Sequence, residues 1–131
     1  FSSRRRHTRF RNVTGVQTCA LPILSIKLRA AQALVYDAAR SGEGGFPDML
    51  LAAQAKVFTS ESAIQVVNDA LQFFGARGYS RELPLERMAR DVRMFTIGGG
   101  TAEVLRNVVA GALLKKKLPQ TRDGWDKAAA E

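Results

Sequence analysis

The sequence contains few of the residues on which several protein classes depend. Its 131 residues include one cysteine and one histidine, so an internal disulfide framework is excluded and a usual zinc site cannot be assembled. No run of about 18 apolar residues occurs, and no membrane span is therefore predicted. The remaining composition, 46% hydrophobic and 24% charged, is typical of one globular domain. The absence of disulfides favours the cytoplasm.

Positive charge is concentrated at one end of the chain. The formal net charge is +8, and residues 1–23 carry five arginines and no acidic residue. Without them, 15 of the 20 basic residues remain against all 12 acidic ones, a net charge of +3 over 108 residues. A nucleic-acid partner would therefore depend almost entirely on the first 23 residues, and none is expected for the rest of the chain.

Residues 1–23 differ in character from the rest of the chain and also hold the lone His7 and Cys19. The stretches "SSRRRHTRF" and "VTGVQTCALPI" resemble translated sequencing-adapter read-through at broken ends of metagenomic reading frames, and the chain begins with Phe1 instead of Met. We expect a non-native or disordered basic segment that ends at residue 23. A transit peptide and a phosphate-binding basic arm are the alternatives.

From Leu24 onward, apolar residues recur with helical spacing. The first predicted helix ends at Ser41 and Gly42, the second opens near Pro47 and runs to about Phe74, and a shorter third helix starts at Pro84. A final helix follows the glycines at 98–100 and has lysines 115–117 at its C-terminal end, where cations are favourable. The apolar stripe of the first helix is Leu24, Leu28, Ala31, Val35 and Ala38.

No alternating strand pattern occurs, so the predicted fold is all-α. We expect antiparallel helices packed as a bundle over residues 24–118, followed by a C-terminal tail over residues 119–131. Apolar side chains at seven-residue spacing in the second helix, such as Leu50, Val57 and Ile64, indicate core and carry little information about function.

Two glycine-containing loops are more informative than the helices. Gly75 and Gly78 follow Gln72, and Gly75 can be explained as an ordinary helix cap. Glycines 98–100 precede Thr101 at a helix N-terminus, where free backbone N–H groups and missing side chains let a phosphate or a flat ring approach. A flexible connector explains the second glycine run equally well.

Taken together, the two loops resemble one family. The stretch "QFFGARGYSRELPLERMARD" is similar to the C-terminal signature of the acyl-CoA dehydrogenases, and "IGGGTAEVLRN" resembles the Gly-Thr-x-Glu start of that family's last helix. The departure is Ala76, where the family usually has Gly or Ser. Seven residues fall on the signature spacing: Gln72, Gly75, Gly78, Tyr79, Glu82, Arg87 and Asp91.

The resemblance implies a fold and an activity. The chain would be an incomplete form of the family's C-terminal four-helix bundle, which follows an N-terminal helical domain and a middle β domain. The whole enzyme would use FAD to convert an acyl-CoA thioester into a trans-2-enoyl-CoA and would pass electrons to an electron-transferring flavoprotein. A homodimer or homotetramer is implied as well. We expect the chain alone to be inactive.

The resemblance also assigns residues. Gln72, Gly75 and Ala76 would contact the FAD of a neighbouring subunit, because the family shares its flavin sites across a dimer interface. Thr101 and Glu103 would contact the FAD of their own subunit.

The substrate side is assigned in the same way. Gly99 and Gly100 would border the flavin ring and the acyl thioester. Short- and medium-chain members carry the catalytic glutamate at the position of Gly99. No residue of this chain is therefore assigned as catalytic, and the base is expected upstream of Leu24. Arg87 and Asp91 are expected to form a structural ion pair.

Two other functions remain open at this stage. A non-enzymatic oligomerisation or scaffolding bundle would explain the apolar stripes but not the spacing of the glycines. A related flavoenzyme of different chemistry, of the nitroalkane oxidase or monooxygenase type, would explain both.

Overall fold

The computed structural model describes residues 3–116 and 118, with side chains from residue 20 onward. Every regular element in this part of the chain is helical, which confirms the predicted all-α fold. The elements are α1 (Ser3–Arg40), α2 (Met49–Phe74), α3 (Ala76–Tyr79), α4 (Leu85–Met94) and α5 (Ala102–Leu114).

Helix α2 is the centre of the fold. It contacts α1, α4 and α5, while the single turn α3 lies at its C-terminal end and also contacts α4. Helix α1 contacts no helix other than α2 among the described elements. The helices therefore pack around one central helix without closing into a ring.

Helix α1 extends further towards the N-terminus than the periodicity predicted. It is 38 residues long, and Pro22 lies inside it, so the backbone is helical on both sides of the expected boundary between residues 23 and 24. Propagation explains the difference, because extending an existing helix adds one hydrogen bond per residue without a new nucleus. The non-native origin of residues 1–23 and the domain limits at 23 and 118 stay predictions.

The stripe predicted for α1 is wrong at two positions. Ala38 is buried as expected, but Leu28 and Val35 are 59% and 47% exposed. The better covered positions instead include Lys27 and Leu34, and Lys27 Nζ donates to Gln65 Oε1 of α2 at 2.7 Å. The contact face of α1 thus follows a different spacing from the one inferred from its apolar residues.

Helix α2 begins with a side-chain cap. Asp48 accepts a hydrogen bond from Leu51 N at 2.9 Å, which satisfies a backbone donor that the first turn leaves free. Pro47, expected inside the first turn, therefore precedes the cap. The predicted end at Phe74 is confirmed.

The core is built from small side chains. The buried hydrophobic residues of the described part are Ala38, Ala53, Ala55 and Ala102, which allow the helix backbones to approach closely. Large apolar side chains are found instead at the surface, including Phe46 at 98% and Met49 at 72% exposed. A single chain consequently buries little of its large apolar surface.

The two C-terminal helices start where their local sequences predict. Helix α4 follows Pro84, and Thr101 caps α5 by accepting from Val104 N at 3.3 Å. Lys115 ends α5 in a left-handed conformation with φ of 53°. Lys117 and the tail over residues 119–131 lie outside the described residues.

Candidate functional site

The loop between α4 and α5 is an open glycine backbone. Gly98 N donates to Met94 O at 2.8 Å, and Ala102 N donates to Thr96 O at 3.0 Å. Between these bonds, Gly99 and Gly100 have φ values of +68° and +89°, a region that side chains rarely adopt. A Cβ atom at Gly99 would meet no heavy atom within 4 Å, so one face of this backbone is free for another molecule.

A polar cleft lies beside the glycine loop, between α2, the end of α4 and the start of α5. Its volume is about 290 Å³, and its lining residues are Glu61, Ile64, Gln65, Arg93, Thr96, Ile97, Thr101, Ala102 and Glu103. The residues expected to contact the FAD of their own subunit, Thr101 and Glu103, are therefore brought together in one concave site.

Charged side chains of both signs surround this cleft. Arg106 of α5 forms an ion pair with Glu61 of α2, and Arg93 Nη1 donates to Thr96 Oγ1 at 3.2 Å. Thr96 is buried, and its hydroxyl also donates to Arg93 O at 2.9 Å. These bonds fix the guanidinium of Arg93 at the rim, where it can meet an anionic or polar ligand.

The carboxyl group of Glu103 is favoured in its ionised form. Its own backbone N–H lowers the pKa most, followed by a hydrogen bond from Thr101, and Arg106 and Arg93 add smaller effects in the same direction. Glu103 lies in the first turn of α5, where free N–H groups attract a negative charge. It is therefore an acceptor at neutral pH and is poorly suited to proton transfer.

The other predicted cofactor residues lie elsewhere. Gln72 and Ala76 are exposed at the C-terminal end of α2, and Gly75 caps that helix with φ of 55° by donating to Leu71 O and Gln72 O. Gly75 is ten residues beyond Gln65, about 15 Å along the axis at about 1.5 Å per residue. Within one chain, Gln72, Gly75 and Ala76 thus do not share the cleft of Thr101 and Glu103.

Gly78 has a packing role in the signature. It is buried in α3, and a Cβ atom there would lie 2.7 Å from Leu71 O and 2.9 Å from Phe74 Cβ. Only glycine lets α3 approach the end of α2 this closely.

The expected ion pair in α4 is confirmed. Arg87 Nε and Asp91 Oδ2 are 3.9 Å apart. A second pair on the same helix, Arg90 with Glu86, was not predicted. The exposed pair of Arg87 and Asp91 contributes about 0–1 kcal/mol, and no residue of either pair lines the cleft.

Sequence reasoning did not predict Glu61 and Arg93, which line the cleft, or Arg106, which pairs with Glu61. Glu61 and Gln65 are four residues apart and so share one face of α2, but nothing local to that helix indicates that this face meets α5. Among the described residues, no group of three His, Cys, Asp or Glu side chains could hold a metal ion. In the same part of the chain, no helix is long and apolar enough to cross a membrane.

A known family model covers most of the chain. Residues 17–114 match the family model of the acyl-CoA dehydrogenase C-terminal domain. The chain belongs to the acyl-CoA dehydrogenase family. The match to this dehydrogenase domain begins seven residues before Leu24 and ends with α5.

Several curated relatives of this acyl-CoA dehydrogenase domain are 3-sulfinopropanoyl-CoA desulfinases. A 3-sulfinopropanoyl-CoA desulfinase of Variovorax paradoxus is 60% identical over 107 residues, which are 82% of this chain and 27% of the relative. Its counterpart in Paraburkholderia xenovorans is 61% identical over 99 residues, 76% of this chain and 25% of the relative. A 3-(aryl)acrylate reductase of Clostridium sporogenes is 48% identical over 92 residues, 70% and 24% of the two chains.

Solved structures share the fold. Butyryl-CoA dehydrogenase from Megasphaera elsdenii matches with a TM-score of 0.66 and 42% identity, over 69% of this chain and 24% of the other. A chain from work on the electron transferring flavoprotein of Acidaminococcus fermentans matches with a TM-score of 0.69 and 40% identity, over 72% and 25%. The chain spans about a quarter of the length of the relatives that it matches.

Proposed function

We propose that this domain is part of an FAD-dependent acyl-CoA enzyme that removes the sulfinate group from 3-sulfinopropanoyl-CoA. The observation that carries the proposal is Gly99. The family resemblance puts the base of short- and medium-chain dehydrogenases at this position, and a residue without a side chain cannot take a proton. Four desulfinases are 56–61% identical to the chain, whereas the reductase and a mycobacterial acyl-CoA dehydrogenase are 48% and 40% identical.

The chemistry of desulfination fits a site without that base. Dehydrogenation needs a group that removes the proton from Cα of the thioester. Desulfination breaks the bond between Cβ and sulfur instead: with one water molecule, the sulfinate leaves as hydrogen sulfite and Cβ gains a hydrogen, giving propanoyl-CoA. Atoms and charge balance without an external oxidant, and no net loss of a Cα proton occurs.

Several described side chains suit FAD. The Thr101 hydroxyl, the ionised Glu103 and the guanidinium of Arg93 offer acceptors and a cation around a cleft at a helix N-terminus, which would hold the nucleotide portion. The bare backbone of Gly99 and Gly100 leaves room for a flat ring and a thioester. FAD would supply a ring that accepts electron density beside the acyl chain; the residues of this domain orient both molecules.

We propose a homodimer or homotetramer for the complete enzyme. Gln72, Gly75 and Ala76 are exposed and lie away from the cleft of their own chain, which fits contact with the FAD of a neighbouring subunit. A cytoplasmic location is part of the same proposal.

Dehydrogenation of an acyl-CoA to a trans-2-enoyl-CoA is the second candidate. The fold shared with butyryl-CoA dehydrogenase at 42% identity favours it, and it requires a base on a helix that precedes this domain. Electrons would then pass to an electron-transferring flavoprotein. Family membership favours either enzyme over a scaffolding module, and nitroalkane oxidase or monooxygenase chemistry has no observation in its favour.

A chimera separates the two candidates. Residues of this chain would replace the matching 107-residue region of the Variovorax paradoxus desulfinase, and the purified chimera would be assayed with 3-sulfinopropanoyl-CoA and with butyryl-CoA. We expect sulfite release from the first substrate and no reduction of an electron acceptor with the second. The unaltered desulfinase is the control. Acceptor reduction with butyryl-CoA and no sulfite release would contradict the proposal.

A further inference from the structure

The glycine run between α4 and α5 is held by backbone hydrogen bonds and by the side chain of Lys56. The backbone bonds of Gly98 to Met94 and of Ala102 to Thr96 hold its two ends. Between them, Lys56 of α2 donates from Nζ to the carbonyl oxygen of Gly100. Among the hydrogen bonds of residues 98–100, only the bond from Lys56 is made by a side chain and can be removed by a side-chain substitution.

The glycine loop needs such an anchor because it has little packing of its own. Glycine adopts many backbone conformations at low cost, and Gly99 and Gly100 both have positive φ. Gly99 offers no side chain that could be packed, and the space around its α carbon is open. A hydrogen bond from an ammonium group is stronger than one between neutral groups, so it can select one loop conformation among several.

Lys56 is itself held on a rigid element. It is half-buried in the interior of α2 and lies next to the buried Ala55. Helix α2 also contacts every other helix of the described part. The position of Gly100 is therefore tied through Lys56 to the centre of the fold instead of to the loop alone.

We propose that Lys56 is a positioning residue that holds Gly99 and Gly100 in the conformation needed to receive the acyl thioester. The substrate part of this inference rests on the proposed function, since it assumes that the thioester passes these two glycines. The anchoring part depends only on the bond between Lys56 and Gly100.

The anchoring part is tested on the 131-residue chain by hydrogen exchange. Lys56→Met should speed exchange of the amides of Gly98 and Ala102, which donate to Met94 O and Thr96 O, about fivefold, the factor that corresponds to about 1 kcal/mol. Lys56→Arg keeps a charged donor and should restore slow exchange. Lys27→Met is the matched control. It removes a different lysine hydrogen bond, the one from Lys27 of α1 to Gln65 of α2, and should leave the exchange rates of these amides unchanged.

Equal exchange in Lys56→Met and the unsubstituted chain would overturn the anchor. If Lys56→Met does not fold, the rates at which an acylating reagent modifies individual lysines are measured in the unsubstituted chain instead. Lys56 should then react more slowly than Lys115, which is exposed at the end of α5. Equal rates at the two lysines would overturn the anchor as well.

The substrate part is tested in the chimeric desulfinase. Lys56→Met should raise KM for 3-sulfinopropanoyl-CoA about fivefold and leave kcat within about twofold, because the loop contributes binding that is equal in ground and transition states. Lys56→Arg should restore KM to the value of the chimera that carries Lys56. Unchanged KM despite faster exchange would overturn the positioning role. Failure of the proposed function is distinct, because the chimera with an intact Lys56 would then release no sulfite.

Discussion

Gly99 stands where the family resemblance implies the catalytic glutamate of short- and medium-chain dehydrogenases. The backbone there has a positive φ and faces open space, so a glutamate would be sterically admitted by its surroundings but disfavoured by its own backbone. The absence of a carboxylate is thus built into the local conformation. A catalytic glutamate at this position would require a change of backbone as well as of side chain.

Introducing the missing acid tests this view. Gly99→Glu in the chimeric desulfinase should lower sulfite release at least about tenfold, because a side chain enters the space reserved for substrate and the left-handed backbone is strained at a cost of about 1–2 kcal/mol. No acceptor reduction with butyryl-CoA should appear. Gly99→Ala is the control for backbone strain. A gain of dehydrogenation in Gly99→Glu, but not in Gly99→Ala, would show that the base belongs at this position.

Glu103 makes the stability of the folded domain depend on pH. Its pKa is lowered from 4.5, chiefly by its own backbone N–H and then by Thr101, so the folded state prefers the ionised form more than the unfolded chain does. The resulting stabilisation is present above pH 4.5 and is lost as the pH falls through the lower pKa of the folded state.

Urea unfolding at two pH values measures this contribution. At pH 7, Glu103→Gln should lower the unfolding midpoint relative to the unsubstituted chain, and at pH 3 the difference should shrink. Glu43→Gln, in the exposed connection between α1 and α2, is the matched control and should shift neither midpoint. A difference between Glu103→Gln and the unsubstituted chain that grows as the pH falls would contradict the assigned direction of the pKa shift.

At the scale of elements, the short turn α3 is coupled to α2 through Gly78. Gly78→Ala places a methyl group 2.7 Å from Leu71 O, and neither of the two backbones can move without disturbing the helix cap at Gly75. We expect destabilisation of about 1–3 kcal/mol, as for other overpacked sites, measured as the free energy of unfolding in urea. Gly45→Ala is the control, since its nearest contact is an ordinary 3.4 Å. Equal stability of the two variants would refute a packing role for Gly78.

The same elements show what a local sequence can predict. The start of α4 after Pro84 and the start of α5 at Thr101 depend on residues within one helical turn, and both were predicted. The contact face of α1 was not predicted correctly, because Leu28 and Val35 are apolar but lie on a side of α1 that α2 does not cover. Lys56 and Gly100 meet across 44 positions of sequence, and the pairing of Glu61 with Arg106 is similarly distant. Such contacts depend on the relative placement of helices, which no single helix encodes.

The whole molecule presents apolar side chains that its own helices do not cover. Seventeen large hydrophobic residues are exposed in the described part, and its buried hydrophobic residues are alanines. Within the part of the chain that the structure describes, helix α1 packs only on α2. The residues proposed to contact FAD lie on two separate surfaces. We therefore expect the proposed site to be completed by other protein surfaces.

The divided site limits what the chain can do by itself. Thr101 and Glu103 would offer FAD one side of an open cleft, while Gln72, Gly75 and Ala76 lie too far away to close it. Affinity depends on how much of a ligand is enclosed and how well its polar groups are matched, so we expect the 131-residue chain neither to bind FAD tightly nor to convert any acyl-CoA. Titration with FAD, followed by flavin fluorescence, should give no stoichiometric end point, whereas the chimeric desulfinase should retain FAD through gel filtration. A tight one-to-one complex of the chain alone would mean that the cleft beside Thr101 is a complete flavin site, and the proposed role for a neighbouring subunit would have to be abandoned.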